Sequence, residues 1–113
     1  MSNNNQWVPV CDASDLTSNI GICAKVDNKQ VAIFKLEAAG EIKLYGIDNH
    51  DPFSGSNVLS RGLVGDLKGQ DVVASPIYKQ HYNLETGQCL EDDDVKLTVY
   101  SVRDNAGKIE IAA

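Results

Sequence analysis

The chain has 113 residues, 12.2 kDa, three Cys, two His, 42% hydrophobic residues and a formal charge of −6. That length fits one domain over residues 1–113, able to bury about two thirds of the surface that its unfolded chain exposes. An acidic pI near 4.7 argues against nucleic acid as a partner, because phosphate-backbone binding is driven by Lys and Arg. Three irregularly spaced Cys rule out a disulfide-dense scaffold and point to reduced thiols in the cytoplasm. Residues 1–5 are polar and residues 6–8 already read as folded chain, so neither a secretory leader nor a membrane span is expected.

Apolar residues recur in short, β-branched runs separated by Gly, Asn and Asp, the pattern of an antiparallel all-β protein. Residues 7–10 predict a first strand, which Pro9 confines to an edge or a strand start. A short helical turn is expected over 12–16, with Asp12 placed to cap it. Residues 21–26 and 30–36 flank the polar turn 27–29 and predict a hairpin. After a turn at 38–41, residues 42–47 alternate as the next strand.

Between Asp48 and Gly69 the pattern breaks, and no strand or helical period is read beyond 57–60. So long an irregular stretch in a compact domain marks a site or an interface. Residues 71–76 predict a buried strand stopped by Pro76, and 79–84 alternate before a turn at 85–87 leads into 88–90. The acidic run 91–94 reads as a solvated turn, 95–102 as a cleanly alternating strand, and 108–111 as the last strand after a turn at 104–107. About ten short strands of this kind imply a small sandwich or barrel.

Local chemistry is sparse. Cys11, Cys23, Cys89, His50 and His81 lie in none of the close pairs that structural zinc sites use, because one tight turn must fix two ligand directions. Cys23 is expected in the core, and both His at the surface or rim. No nucleophile elbow surrounds Ser54, Ser56, Ser60 or Ser75. Gly55, Gly62, Gly65 and Gly69 are too widely spaced for a phosphate-cradling loop. Residues 51–65 stand out, because several small residues beside a Pro, a Phe and Arg61 permit close backbone approach to a partner.

At 51–65, and at 74–80 followed by Leu84 and Thr86-Gly87, the chain resembles the small subunits of assimilatory NAD(P)H-dependent nitrite reductases. The resemblance runs from Trp7 and Val10-Cys11 through 31–34 to the Glu91-Asp92 turn and Tyr100. It implies a Rieske-like fold: a β-sandwich or barrel base with a small inserted subdomain of the cluster-binding type, at roughly residues 49–88. In true Rieske proteins that subdomain holds a [2Fe-2S] cluster on two Cys and two His. Anchored on Thr86-Gly87, the second ligand box puts its Cys at Ser75 and its His at Tyr78, while the first puts its Cys at Pro52 and its His at Ser54. All four places hold non-ligands, so no cofactor is expected in this chain.

Pro52, Phe53, Pro76 and Tyr78 are then expected to fill or cover the vacated tip. Phe53, Leu59, Arg61, Leu63 and Tyr78 are the candidate partner-binding residues, matching the aromatic-and-Arg character of interface anchors. The resemblance implies no catalytic residue here, and it implies a large subunit carrying FAD, sirohaem and a [4Fe-4S] cluster that reduces nitrite to ammonium. Two competing readings are an autonomous Rieske-type electron-transfer protein and a free-standing sandwich that binds a small molecule.

Overall fold

The computed structural model describes residues 6–67 and 69–112. In chain order the strands are β1 (Trp7–Asp12), β2 (Ile22–Val26), β3 (Lys29–Ala38), β4 (Glu41–Asp48), β5 (His50–Asp51), β6 (Ser56–Asn57), β7 (Leu63–Leu67), β8 (Gln70–Ala74), β9 (His81–Asn83), β10 (Val99–Tyr100), β11 (Val102–Asn105) and β12 (Lys108–Ala112). Two 3-10 turns, Ala13–Asp15 and Leu59–Arg61, are the only helical pieces among the described residues. The chain is all-β, as its patterning predicts.

Sheet formation begins with tight hairpins. Lys29 pairs with Val26, so Asp27 and Asn28 form the β2–β3 turn, with Asp27 at φ 55°. The β3–β4 and β11–β12 turns each place an Ala and a Gly at positive φ, Ala39-Gly40 and Ala106-Gly107. That backbone matches the right-handed twist of the strands it joins. Asp12 precedes the first 3-10 turn, and its N–H donates to the Asp15 carboxylate at 3.0 Å.

Four strands in the order β10-β4-β3-β2 form the central sheet. On one face lies the three-stranded sheet β1-β12-β11, enclosing Leu16, Ala24, Val26, Val31, Ile33, Ile109 and Ile111. On the other face Ala32, Phe34, Leu36 and Ile47 pack against Leu59, Val73, Tyr82, Leu84, Cys89 and Leu97. The run Val31-Ala32-Ile33-Phe34 is therefore fully buried on both sides, which explains why it is continuously apolar instead of alternating. Pro9 sits in β1, an edge strand, beside an irregularity in the β1–β12 register.

Several expectations are corrected. Residues 63–67 form β7, paired along its whole length with β8, although Gly65 and Asp66 obscure any strand period. The expected strand 95–102 is broken: only Val99 and Tyr100 pair with β4, and Lys96 makes a single bridge to Gln88. Residues 88–90 contribute isolated bridges and no strand, because Gln88 and Cys89 pair with different neighbours. Cys23 is exposed, since β2 turns Ala24 and Val26 inward and Cys23 and Lys25 outward.

Candidate functional site

Two loops project from the β5–β6 hairpin and the β7-β8-β9 sheet. In the first, Pro52 to Gly55 turn the chain between β5 and β6, with the Gly55 N–H donating to the Asp51 carbonyl at 2.8 Å. In the second, residues 75–80 leave β8 and return into β9. It is closed by Ser75 N–H to Gln80 C=O at 2.9 Å and Lys79 N–H to Ser75 C=O at 3.1 Å. Asn49, 2% exposed, anchors the first loop: its Oδ1 accepts from Ser60 N–H, and its Nδ2 donates to Gln30 Oε1 and to the Asn57 carbonyl.

The loops meet on one carboxylate. Asp51 is 0% exposed, and its Oδ2 accepts from Ser75 Oγ at 2.5 Å and Ser54 Oγ at 3.0 Å. Its Oδ1 accepts from Phe53 N–H at 3.0 Å and Tyr82 OH at 3.2 Å. A buried carboxylate without partners would be strongly disfavoured, but four donors use the acceptor capacity of both oxygens. Burial pushes the Asp51 pKa up, while the bonds from Ser75, Phe53, Ser54 and Tyr82 outweigh it and hold the carboxyl below its ordinary range. The Ser75 hydroxyl also accepts from Ile77 N–H at 3.3 Å, so it orders its own loop as well as tying the two together.

The residues at the four places that the resemblance assigns to cluster ligands behave differently. Ser54 and Ser75 serve Asp51, whereas Pro52 and Tyr78 stand exposed on the loops. Phe53, Ile77 and Pro76 are exposed too, so of the two expected roles, filling the tip or covering it, Pro52, Phe53, Pro76 and Tyr78 do not fill it as buried side chains. Asp51 and Tyr82 are the buried pair there, each 0% exposed, with the phenol donating to the carboxylate. Leu59 is also corrected as a surface candidate. It is 0% exposed and belongs to the core with Phe34 and Val73. Arg61 and Leu63 are exposed.

The thiols lie elsewhere: Cys11 half-buried on β1, Cys23 exposed on β2 and Cys89 buried beside Tyr82. Burial pushes all three thiol pKa values up, which disfavours the thiolate that binds metals. His50 bonds Asn57 Oδ1 through its Nδ1 at 2.9 Å, and His81 Nδ1 meets Glu91 Oε2 at 2.6 Å. Among the described residues, no three His, Cys, Asp or Glu side chains converge to hold a metal ion. No helix among them is long and apolar enough to cross a membrane.

Residues 6–112 match the Rieske-like [2Fe-2S] domain family, and the chain belongs to it. The match extends to a narrower group. The nitrite reductase (NADH) small subunit of Escherichia coli strain K12 is 37% identical over 106 residues, covering 94% of this chain and 96% of that one. The crystal structure of an NADH-dependent nitrite reductase small subunit from Mycobacterium tuberculosis superposes with a TM-score of 0.91. It shares 37% identity and covers 98% of this chain and 97% of that one. A nitrite reductase [NAD(P)H] large subunit from Klebsiella oxytoca is 35% identical over 103 residues, which are 91% of this chain and 10% of that longer protein. This chain is therefore a member of the nitrite reductase small-subunit family, whose relatives are subunits of an oxidoreductase.

The [2Fe-2S] group that the fold family implies does not fit the residues present. Cluster iron needs thiolate and imidazole donors, whose softness and charge a hydroxyl lacks. At the places that the resemblance assigns to ligands stand a proline with no donor, two hydroxyls already bonded to Asp51 and an exposed phenol. No sequence motif singles out Asp51, Asn49 or Tyr82. Asp51 does lie inside the conspicuous run 51–65, and Tyr82 in an alternating segment.

Proposed function

We propose that this chain is the cluster-free accessory subunit of an NAD(P)H-dependent nitrite reductase in the cytoplasm, where it binds and supports the large subunit that reduces nitrite to ammonium. The observation that carries this reading is the use of Ser54 and Ser75 as donors to Asp51 at places where an electron carrier needs iron ligands. FAD, sirohaem and a [4Fe-4S] cluster belong on the large subunit, and this chain supplies no reacting group. The inserted part at residues 49–88 contributes the docking residues Phe53, Arg61, Leu63 and Tyr78, all of them exposed. The occurrence of a similar stretch within a Klebsiella large subunit supports a role at close quarters with that protein.

The test combines composition with reconstitution. Chain purified anaerobically with iron and sulfide supplied is expected to lack stoichiometric iron, acid-labile sulfide and visible absorption. It is also expected to co-purify with the large subunit and to raise nitrite-dependent NAD(P)H oxidation. Stoichiometric iron and sulfide would establish an autonomous Rieske-type carrier and overturn the proposal.

A further inference from the structure

Charge is unevenly distributed over this acidic chain. Residues 50–65 and 74–80, which build the two loops and their approaches, contain a single carboxylate, Asp51, and it is buried. They contain two cations, Arg61 and Lys79, both exposed and neither in an ion pair among the described residues. With a chain total of −6, all of the net negative charge lies outside this region. The far end of the β7–β8 hairpin, by contrast, carries Asp66 and Asp71. Beyond the second loop, Glu91 is bonded to the N–H and ring of His81.

Exposed apolar side chains gather in the same region. Phe53 is 37% exposed, Ile77 44%, Tyr78 59% and Leu63 74%. Leu63 pairs across the sheet with Ala74, the residue just before the second loop, and the Asp51–Ser75 bond holds that loop to the one bearing Phe53. These side chains therefore sit on strand β7 and on two loops fixed to one another before any partner arrives, which lowers the ordering cost of association.

We infer that this tip docks on an acidic, apolar-lined surface of the large subunit, with Ile77 and Lys79 joining Phe53, Arg61, Leu63 and Tyr78 in the contact. The inference rests on the accessory-subunit reading and adds the sign of the partner's charge. Exposed cations on the same segments as exposed apolar side chains steer encounter with an anionic surface and repel a cationic one. Self-association through the tip is opposed, because a two-fold contact would bring together two copies of a patch whose exposed charges, Arg61 and Lys79, are both positive.

The experiment measures binding of the full chain to purified large subunit by surface plasmon resonance, as NaCl is raised from about 50 to about 300 mM, a range over which exposed charges become screened. The wild-type complex should weaken with salt. Arg61→Glu and Lys79→Glu should each weaken it about tenfold or more at low salt, chiefly through slower association. Ile77→Ser should weaken it about tenfold with the salt dependence unchanged. Lys25→Glu, the same charge change on exposed Lys25 of β2, should bind as wild type. All four positions are exposed, so thermal midpoints should match that of the wild type and separate docking from folding.

Wild-type affinity in the tip variants, or an equal loss in Lys25→Glu, overturns the inference while leaving the accessory-subunit reading intact. A chain that sediments alone as a dimer and becomes monomeric with Ile77→Ser also overturns it. Failure of the wild-type chain to bind at all overturns both.

Discussion

Ser75 Oγ and Asp51 Oδ2, from residues 24 apart in sequence, lie 2.5 Å apart and join the two loops of the tip. The bond acts together with the Tyr82 hydroxyl, which reaches the same carboxylate from β9. Asp51→Ala would leave the buried hydroxyls of Ser75 and Tyr82 without their acceptor. Each stranded polar group costs about 1–3 kcal/mol, so a loss of about 3 kcal/mol is expected from urea denaturation. Asp51→Asn, which retains one acceptor oxygen, should lose less. An Asp51→Ala chain as stable as wild type would show that the tie contributes nothing.

Acid should dissolve the same tie. The folded carboxyl of Asp51 is held below its ordinary value of 3.8, so it binds protons less readily folded than unfolded. Its contribution is fully present above the unfolded pKa and is lost as pH falls through the folded one. Urea midpoints measured downward from pH 5 should therefore decline below about pH 4, and the decline should be shallower in Asp51→Asn. Parallel curves for the two proteins would place the acid sensitivity elsewhere.

Two glycines separate backbone strain from lack of space. A Cβ on Gly87, at φ +82°, would lie 2.1 Å from the Leu97 carbonyl oxygen. Gly55 has a similar φ of +74°, but nothing lies within 4 Å of the position that a Cβ would take there. Gly55→Ala should then cost only the left-handed penalty of about 1–2 kcal/mol. Gly87→Ala adds a backbone clash to that strain and should cost about 3 kcal/mol or more. Equal thermal shifts in the two variants would contradict this ordering.

Leu59 and Leu63 divide core from surface within a few residues. Leu59→Ala empties a fully buried site and should destabilise by about 2–5 kcal/mol. Leu63→Ala, at a 74% exposed position, should stay within about 0.5 kcal/mol of wild type. Chemical denaturation of both variants tests the pair, and a large loss at Leu63 would mean that it packs against the domain.

The hairpins are legible in the sequence because their turns are local. Asp27-Asn28, Ala39-Gly40 and Ala106-Gly107 each reverse the chain within two residues, and the flanking apolar runs follow from them. Strand β7 is not legible, since Gly65 and Asp66 hide its period and only its pairing with β8 makes it a strand. Residues 95–102 fail in the opposite sense. Their alternation is clean, but the Leu97 N–H goes to the Gly87 carbonyl and the Asp48 N–H to the Thr98 carbonyl, so no single neighbouring strand accompanies the segment. At the site, the spacing from Ser75 to Thr86-Gly87 carries the family resemblance. Asp51 gives no comparable signal, because it is one of sixteen acidic residues and only folding buries it. Cys23 is misplaced for a similar reason: strand membership does not reveal which face of an edge strand is covered.

Trp7 pairs with Ala112, so β1 and β12 bring the two ends of the described chain side by side. They do so in the sheet that covers one face of the central sheet, while the tip loops arise from elements packed on the other. A polypeptide can therefore enter and leave this unit through one doorway without stretching it, and a tether attached there leaves the loops free to engage. Short flexible tethers of that kind raise the local concentration of a partner to about the millimolar range. The proposed contact surface is then suited both to a separate subunit and to a domain carried in cis, with only the concentration of its target changed.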